Sequence, residues 1–235
     1  MGLFDKKTCD FCGGKIGMLG NRKLADGNMC KGCAQAISPV LTGRKQFSVA
    51  DMKDHLAYRE ENKKAIEVFN PTSTFGTNTK VYIDENTGKW LVSGASNFRN
   101  ANPDVLDVSQ VTGCNSQVKE TKTELKYTKP DGKRESYNPP RYDIDYDFYI
   151  TINVNSPWFS EIEFKVNSKR IDTRNSAEYR SAEETTDSIK KGLTQVQSVV
   201  REQAKPKTSI QCHNCQATTI PDENGRCEYC GGATS

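Results

Sequence analysis

With 235 residues, 34% of them apolar and 27% charged, and a mean hydropathy of −0.74, the chain is too polar to bury one compact core of its whole length. A modest domain flanked by small modules is expected instead. No apolar run approaches the roughly 18 residues of a membrane-spanning helix. The opening Met1-Gly2-Leu3-Phe4-Asp5 turns charged at once, unlike a secretory segment, and Lys6 stands where myristoylation of Gly2 would want Ser or Thr. The setting expected from this is cytoplasmic and reducing.

Residues 1–46 open with Cys9-x2-Cys12 and close with Cys30-x2-Cys33 after seventeen intervening residues. Two thiolates separated by two residues reach one tetrahedral metal from a single turn, and a second pair completes the shell. Lys15-Ile16-Gly17 and Arg22-Lys23-Leu24 read as short strands around Leu19-Gly20-Asn21, and a short helix is expected to start at Cys33. A knuckle, a hairpin and a knuckle leading into a helix give the geometry of a treble clef or a ribbon.

A helix is expected over 48–69, capped by Ser48 with Asp51 in its first turn and stopped by Asn70-Pro71. Val49, Met52, Leu56, Ile66 and Phe69 supply its apolar positions. The polar stretch 59–64 suggests a solvated connector over 47–72.

From Thr79 the period becomes two. Val81 and Ile83, then 89–92 after the turn Asn86-Thr87-Gly88, read as strands, as does 105–118. Residues 123–128 and 134–137 flank the turn Pro130-Asp131-Gly132. Ile144, Tyr146, Phe148, Ile150, Ile152 and Val154 alternate with Asp143, Asp145, Asp147, Thr151 and Asn153, which predicts a long strand with one wet face. Ile162, Phe164 and Val166 continue the pattern. About seven antiparallel strands without intervening helices predict a small sandwich or barrel over 73–203.

That region ends in a second helix, over 175–203, with Asn175 and Glu178 placed for a capping-box start. Its seam of Tyr179, Ala182, Thr186, Ile189, Leu193, Val196 and Val200 recurs in steps of three and four, and is weakened by Thr186 and Gly192. The seam either docks within the chain, which is the expectation and makes a monomer, or pairs with its copy in a dimer. After the linker Lys205-Pro206-Lys207-Thr208, residues 204–235 hold Cys212-x2-Cys215 and, eleven residues on, Cys227-x2-Cys230.

Eight of nine cysteines thus form two four-cysteine sets, and two structural Zn2+ ions are predicted. Disulfides would suit a secreted domain, and a redox Cys-x2-Cys needs one pair on a strand-to-helix turn, not two pairs per cluster. Eight bound thiolates and two zinc ions take the formal +3 to about −1, so bulk charge does not argue for nucleic acid. Lys6, Lys7, Lys15, Arg22, Lys23, Lys31, Arg44 and Lys45 nevertheless crowd the first module, either balancing an anionic zinc centre or facing phosphates.

Cys212-His213-Asn214-Cys215-Gln216-Ala217 with Gly225-Arg226-Cys227-Glu228-Tyr229-Cys230-Gly231-Gly232 resembles the small bacterial zinc-ribbon found at protein termini. The stretch from Met1-Gly2-Leu3-Phe4-Asp5-Lys6-Lys7 through Cys9, Cys12-Gly13-Gly14-Lys15-Ile16, Leu24-Ala25-Asp26-Gly27, Cys30 and Cys33 resembles the N-terminal zinc-binding module of an uncharacterised family common in Firmicutes. The strand pattern from Val81, with Tyr149-Ile150-Thr151-Ile152 and Phe164-Lys165-Val166, resembles a pleckstrin-homology-like or GRAM-like domain. These resemblances imply an intracellular bacterial protein and supply no catalytic residues.

The remaining residues read plainly. His213 sits between two ligands of a set that four cysteines already complete. His55 has no metal-like neighbours in sequence, Cys114 has no base nearby, and Asp143, Asp145 and Asp147 lie too far apart along a strand for calcium. Lys119, Lys122, Lys126, Lys129, Lys133 and Arg134 are interleaved with acids, which weakens a membrane-binding loop. No phosphate-cradling glycine loop, carboxylate pair or Ser-His-Asp set is present. The function expected is a non-enzymatic zinc adaptor that presents surfaces to a protein partner. The alternatives are weak nucleic-acid binding through Lys7, Lys15, Arg22, Lys23 and Lys31 with Phe11 stacking, and peripheral membrane binding through the middle domain.

Overall fold

The computed structural model describes residues 7–204, 209–222 and 225–234. The charged opening with Gly2 and Lys6, and the linker 205–208, lie outside the described residues. The chain divides into two compact units, Met1–Gln197 and Ser198–Ser235. No helix among the described residues is long and apolar enough to cross a membrane.

In the first unit β1 (Arg22–Lys23) pairs antiparallel with β2 (Asn28–Met29), and the one-turn helix α1 (Lys31–Ala34) follows. The hairpin therefore lies later than the sequence suggests. Residues 15–17 contribute only a bridge from Lys15 to Thr8, and the turn closes where the Leu24 N–H donates to the Gly27 carbonyl at 2.9 Å. That turn rests on the next helix, α2 (Val49–Val68). A Cβ on Gly27 would fall 2.3 Å from Val49 Cγ2, so only glycine allows the approach.

Ser48 caps α2. Its Oγ accepts from the Asp51 N–H at 3.1 Å, the Asp51 carboxylate accepts from the Ser48 N–H at 2.8 Å, and Asp26 takes the Val49 N–H at 2.7 Å. Orphan donors of the first turn are thereby satisfied. At the other end Arg99 donates to the carbonyls of Ile66, Glu67 and Phe69. The helix is not the solvated connector that its polar middle suggests. Met52, His55, Arg59, Asn62 and Ile66 are all buried, at helical steps of three and four, so its inward stripe is polar at the centre.

Seven strands follow in two antiparallel sheets. β3 (Ser73–Phe75), β4 (Lys80–Asp84), β5 (Lys89–Ser93) and, after α3 (Phe98–Ala101), β6 (Leu106–Asp107) form a four-stranded sheet in chain order. β7 (Val111–Thr128), β8 (Arg134–Val154) and β9 (Glu161–Lys165) form a three-stranded one. The region is mainly β, as expected, but the sheets do not close into one barrel. Residues 123–128 and 134–137 are not a separate hairpin; they are the far ends of β7 and β8. The ladder shifts register between Leu125 and Lys126, opposite Pro139 and Pro140, which have no N–H to donate.

The alternation in β8 places Tyr146, Phe148, Ile150, Ile152 and Val154 in the core, while Ile144 is only half-buried. On the other face Asp143 pairs with Arg170 and Asp147 with Lys165. Phe148→Ala is expected to cost about 3–5 kcal/mol and Asp147→Ala less than about 1 kcal/mol in urea unfolding. Equal costs would mean that the register is wrong.

Helix α4 (Ala177–Ala204) covers this core. Ser176, not Asn175, caps it: the Tyr179 N–H donates to Ser176 Oγ at 3.1 Å, and Asn175 precedes the helix in the left-handed region at φ 63°. Tyr179, Ala182, Thr186, Ile189, Leu193 and Val196 are buried and Val200 is half-buried. Tyr179 stands edge-on to Tyr146 and Phe148, with ring centroids 5.4 and 4.9 Å away. The two positions that weaken the seam in sequence have structural reasons. Thr186 donates its hydroxyl to the Ala182 carbonyl at 2.7 Å. Gly192 lies so close to β3 that a Cβ would be 2.6 Å from the Phe75 ring. α4 thus touches both sheets.

The second unit contains the hairpin of β10 (Ile210–Gln211) and β11 (Thr218–Thr219) beside the last cysteine pairs.

Candidate metal centres

Three of the four Cys-x2-Cys pairs share one backbone pattern. After Cys9, Cys212 and Cys227, the N–H four residues on (Gly13, Gln216, Gly231) returns to the cysteine carbonyl at 2.8–2.9 Å. The cysteine N–H in turn donates to the carbonyl five residues on (Gly14, Ala217, Gly232) at 2.8–2.9 Å. The residue four on has positive φ each time, 70° at Gly13, 57° at Gln216 and 67° at Gly231. Glycine suits that position, and Gln216 holds it despite its side chain.

The pair Cys30 and Cys33 is different. Cys30 caps α1, and its Sγ accepts from the Cys33 N–H at 3.3 Å. The first cluster is therefore a knuckle facing a helix start, the treble-clef alternative, and the second is two facing knuckles.

Within each set the four Sγ atoms lie within 4.8 Å of one another. In the first, Cys9 and Cys33 are 3.8 Å apart, as are Cys12 and Cys30. In the second, Cys212 and Cys230 are 3.7 Å apart, and Cys215 and Cys227 3.6 Å. A zinc–thiolate tetrahedron with bonds of about 2.3 Å has edges of roughly 3.8 Å, whereas a disulfide needs about 2.0 Å. The donor sets fit two structural metal sites of the zinc type.

Electrostatics points the same way. Burial disfavours the Cys9 thiolate, but the N–H groups of Cys30, Cys12 and Phe11 prevail and bring its pKa down to about 6. Burial and the three neighbouring sulfurs push Cys33 up to about 12. In the second set burial likewise opposes ionisation of Cys227, yet the N–H groups of Cys230 and Tyr229 lower it to about 6. At Cys215 the Ala217 N–H favours the thiolate, but burial and the other thiols raise it to about 12. Four thiolates this close repel one another, and a bound dication is what lets all four ionise. Zinc bound here would supply a rigid tetrahedral cross-link and no reactive position, since all four bonds go to protein.

The first site is seated on α2. Leu24, Met29 and Met52 form a buried cluster, with Phe11, Cys33, Ala34, Ile37, Leu41, Phe47, Val49 and Leu56 packed around it. Phe11 is thus spent on packing rather than held out for stacking.

Beyond it lies a polar cluster that sequence reasoning missed. The buried carboxylate of Asp104 accepts from Ser38 Oγ at 2.6 Å, Arg59 Nη1 at 2.7 Å and Tyr58 Oη at 3.2 Å. The Ser38 N–H donates to His55 Nε2 at 3.0 Å. Asn62 donates to the Pro103 carbonyl at 2.7 Å and accepts from the Val105 N–H at 2.8 Å. His55, which reads as an ordinary histidine in sequence, is fully buried and stands edge-on to Trp158 at 4.7 Å. This cluster ties the segment after α1, the middle of α2 and the strand-leading loop 102–105 together. The only local signal was the helical spacing of His55, Arg59 and Asn62.

The other singled-out residues join neither metal set. His213 is exposed. Cys114 is half-buried in β7, and its thiol is pushed up by burial against the opposing pull of Lys190. Lys122, Lys126, Lys129 and Lys133 each pair with an acidic neighbour, respectively Glu120, Glu124, Glu135 and Asp131.

Residues 8–55 match a family model described as a domain of unknown function, DUF4428. The match spans the first cysteine set and ends at His55, inside α2, so it takes in only the first turns of the helix on which the metal module rests. No curated protein and no solved structure matches the chain.

Proposed function

We propose that this chain is a non-enzymatic, cytoplasmic zinc protein that works as an adaptor, using metal in place of a large core to hold a surface for a protein partner. One observation carries the proposal. The Gly20 N–H closes a turn onto the Gly17 carbonyl at 2.9 Å, and its two central residues, Met18 and Leu19, are 90% and 91% exposed. Turns ordinarily place Gly, Pro, Asn, Asp or Ser there. An apolar pair at a turn tip on a metal-braced module is a contact surface, with methionine able to adapt to its partner. Arg22 steadies it by donating to the Leu19 carbonyl at 3.3 Å.

The middle domain we read as pleckstrin-homology-like. Support comes from the four-stranded and three-stranded antiparallel sheets in chain order and the long helix α4 packed on both. Its basic turn offers little to a membrane, because Lys122, Lys126, Lys129 and Lys133 are paired with the acids interleaved among them. Nucleic acid is the alternative partner for the first module, through Lys7, Lys15, Arg22, Lys23 and Lys31.

Affinity capture with the zinc-replete full chain, run beside Met18→Ser/Leu19→Ser, separates these. A stoichiometric protein lost in the variant is the expected result. Nuclease-sensitive material retained by the variant would favour the alternative and overturn the adaptor reading.

A further inference from the structure

β7 is an edge strand over its whole length. The far side of β8 is held past β9 by the segment after it, with the Tyr146 N–H donating to the Ile171 carbonyl at 2.8 Å and Arg170 pairing with Asp143, and only toward the turn at 129–133 do β7 and β8 form a two-stranded ribbon. From Asn115 to Thr128 every residue is exposed except Glu124, which is half-exposed. Such ribbons are marginal alone, and a long unpaired edge is a template for another strand. Among the described residues, the contacts β7 makes outside its own sheet fall mostly near its start. They run from Gln197 to the Val111 carbonyl and from Lys190 to Ser116, with Arg174 acting on Glu120 at longer range.

The charges along this edge alternate as Glu120, Lys122, Glu124 and Lys126. Residues two apart share a face, and the ion pairs confirm it here: Lys122 reaches Glu120 at 2.8 Å and Lys126 reaches Glu124 at 3.9 Å. Read in reverse, this pattern is its own complement.

We propose that β7 pairs antiparallel, edge to edge, with β7 of a second copy of this chain, about a twofold axis through Thr123. A twofold axis perpendicular to the sheet keeps each strand face on its own side. With Thr123 opposite its copy, Lys122 meets Glu124 and Glu120 meets Lys126, each pair occurring twice. Slipping the register so that neighbouring even residues exchange partners sets Glu120 against Glu124 and Lys122 against its own copy, which is repulsive. Of the possible registers, this one sets all four charges against opposite ones, so the alternation favours it. On the other face Thr121 meets Leu125 and Lys119 meets Tyr127. β7 contains no proline to block the pairing. Of the two register shifts, the one at Leu125–Lys126 loops residues out of β8, away from the free edge, and the one at Val111–Gly113 loops out Thr112 of β7, well outside the paired stretch 119–127.

Light scattering on the full zinc-loaded chain at about 100 µM should give a dimer mass. Lys122→Glu should weaken the dimer at least about tenfold, since it sets carboxylates opposite each other on both sides of the axis. The swap Lys122→Glu/Glu124→Lys should restore it, because every cross-strand pair is again opposite in sign while the composition is that of the native chain. A native monomer at that concentration, a dimer indifferent to Lys122→Glu, or a swap that fails to restore association would each overturn the proposal.

Discussion

Cys9→Ser is expected to unfold the first metal module while the seven-stranded region stays folded. Cys9 is 2% exposed. Its Sγ accepts the Cys30 N–H at 3.3 Å, and its own backbone closes the knuckle with Gly13 and Gly14. In so small a module, zinc binding of about 10–16 kcal/mol is largely the folding free energy. The damage should extend into the start of α2, because Met52 completes the Leu24–Met29 cluster. It should stop short of β8, whose core is independent of the metal. Hydrogen exchange checks this. Amides of 9–34 should lose protection and those of 146–154 keep it. Retained protection in the module would show that the cysteine is not a ligand on which folding depends.

The second large effect is expected at Asp104. Its ion pair with Arg59 is almost wholly enclosed, with side-chain exposures of 2% and 4%, and Ser38 and Tyr58 also depend on the carboxylate. Asp104→Ala leaves a buried guanidinium without its counter-charge, a loss of about 3–5 kcal/mol. Glu60→Ala, which breaks an exposed pair with Lys63, should cost less than about 0.5 kcal/mol. A near-neutral Asp104→Ala in denaturant unfolding would contradict the enclosed cluster.

The same cluster sets a pH dependence. Burial, partly opposed by Asp104 and reinforced by Arg59, lowers His55 from 6.5 to about 4. Its Nε2 must stay unprotonated to accept the Ser38 N–H. A pKa depressed on folding means that stability is fully present above pH 6.5 and falls as the pH drops toward 4, by up to roughly 3 kcal/mol. Acid also strips zinc from thiolates, so the comparison is with His55→Gln, which removes the titration but not the cysteines. The native chain should lose more stability than the variant between pH 6.5 and 4.5. Parallel curves would exclude His55 as a source.

The metal sets were legible because ligand spacing is a local property: two residues between thiolates and a small residue after them place sulfurs whatever the rest of the chain does. The alternation of 144–154 was legible for the same reason. What escaped the sequence depends on partners far along the chain. Arg59 and Asn62 look like a solvated face until Asp104 and Pro103, more than forty residues away, cover them. Gly192 looks like a weak point until Phe75 occupies the space. Ser176 rather than Asn175 caps α4 because the chain enters the helix with Asn175 in the left-handed region, a backbone state that the spacing of Asn175 and Glu178 does not reveal. The hairpin of β1 and β2 lies later than Lys15-Ile16-Gly17 suggests, and its turn is fitted through Gly27 against Val49, a contact that no short window contains.

Counting metal tests the central claim most directly. Native mass spectrometry of the full chain, with thiol alkylation before and after chelation, should show two zinc ions and one reactive thiol, Cys114. Chelation should release both ions and expose the other eight cysteines. Fewer than about one ion per cluster, or alkylation of cluster cysteines while zinc remains bound, would contradict the assignment of Cys9, Cys12, Cys30, Cys33, Cys212, Cys215, Cys227 and Cys230 as two closed zinc sites.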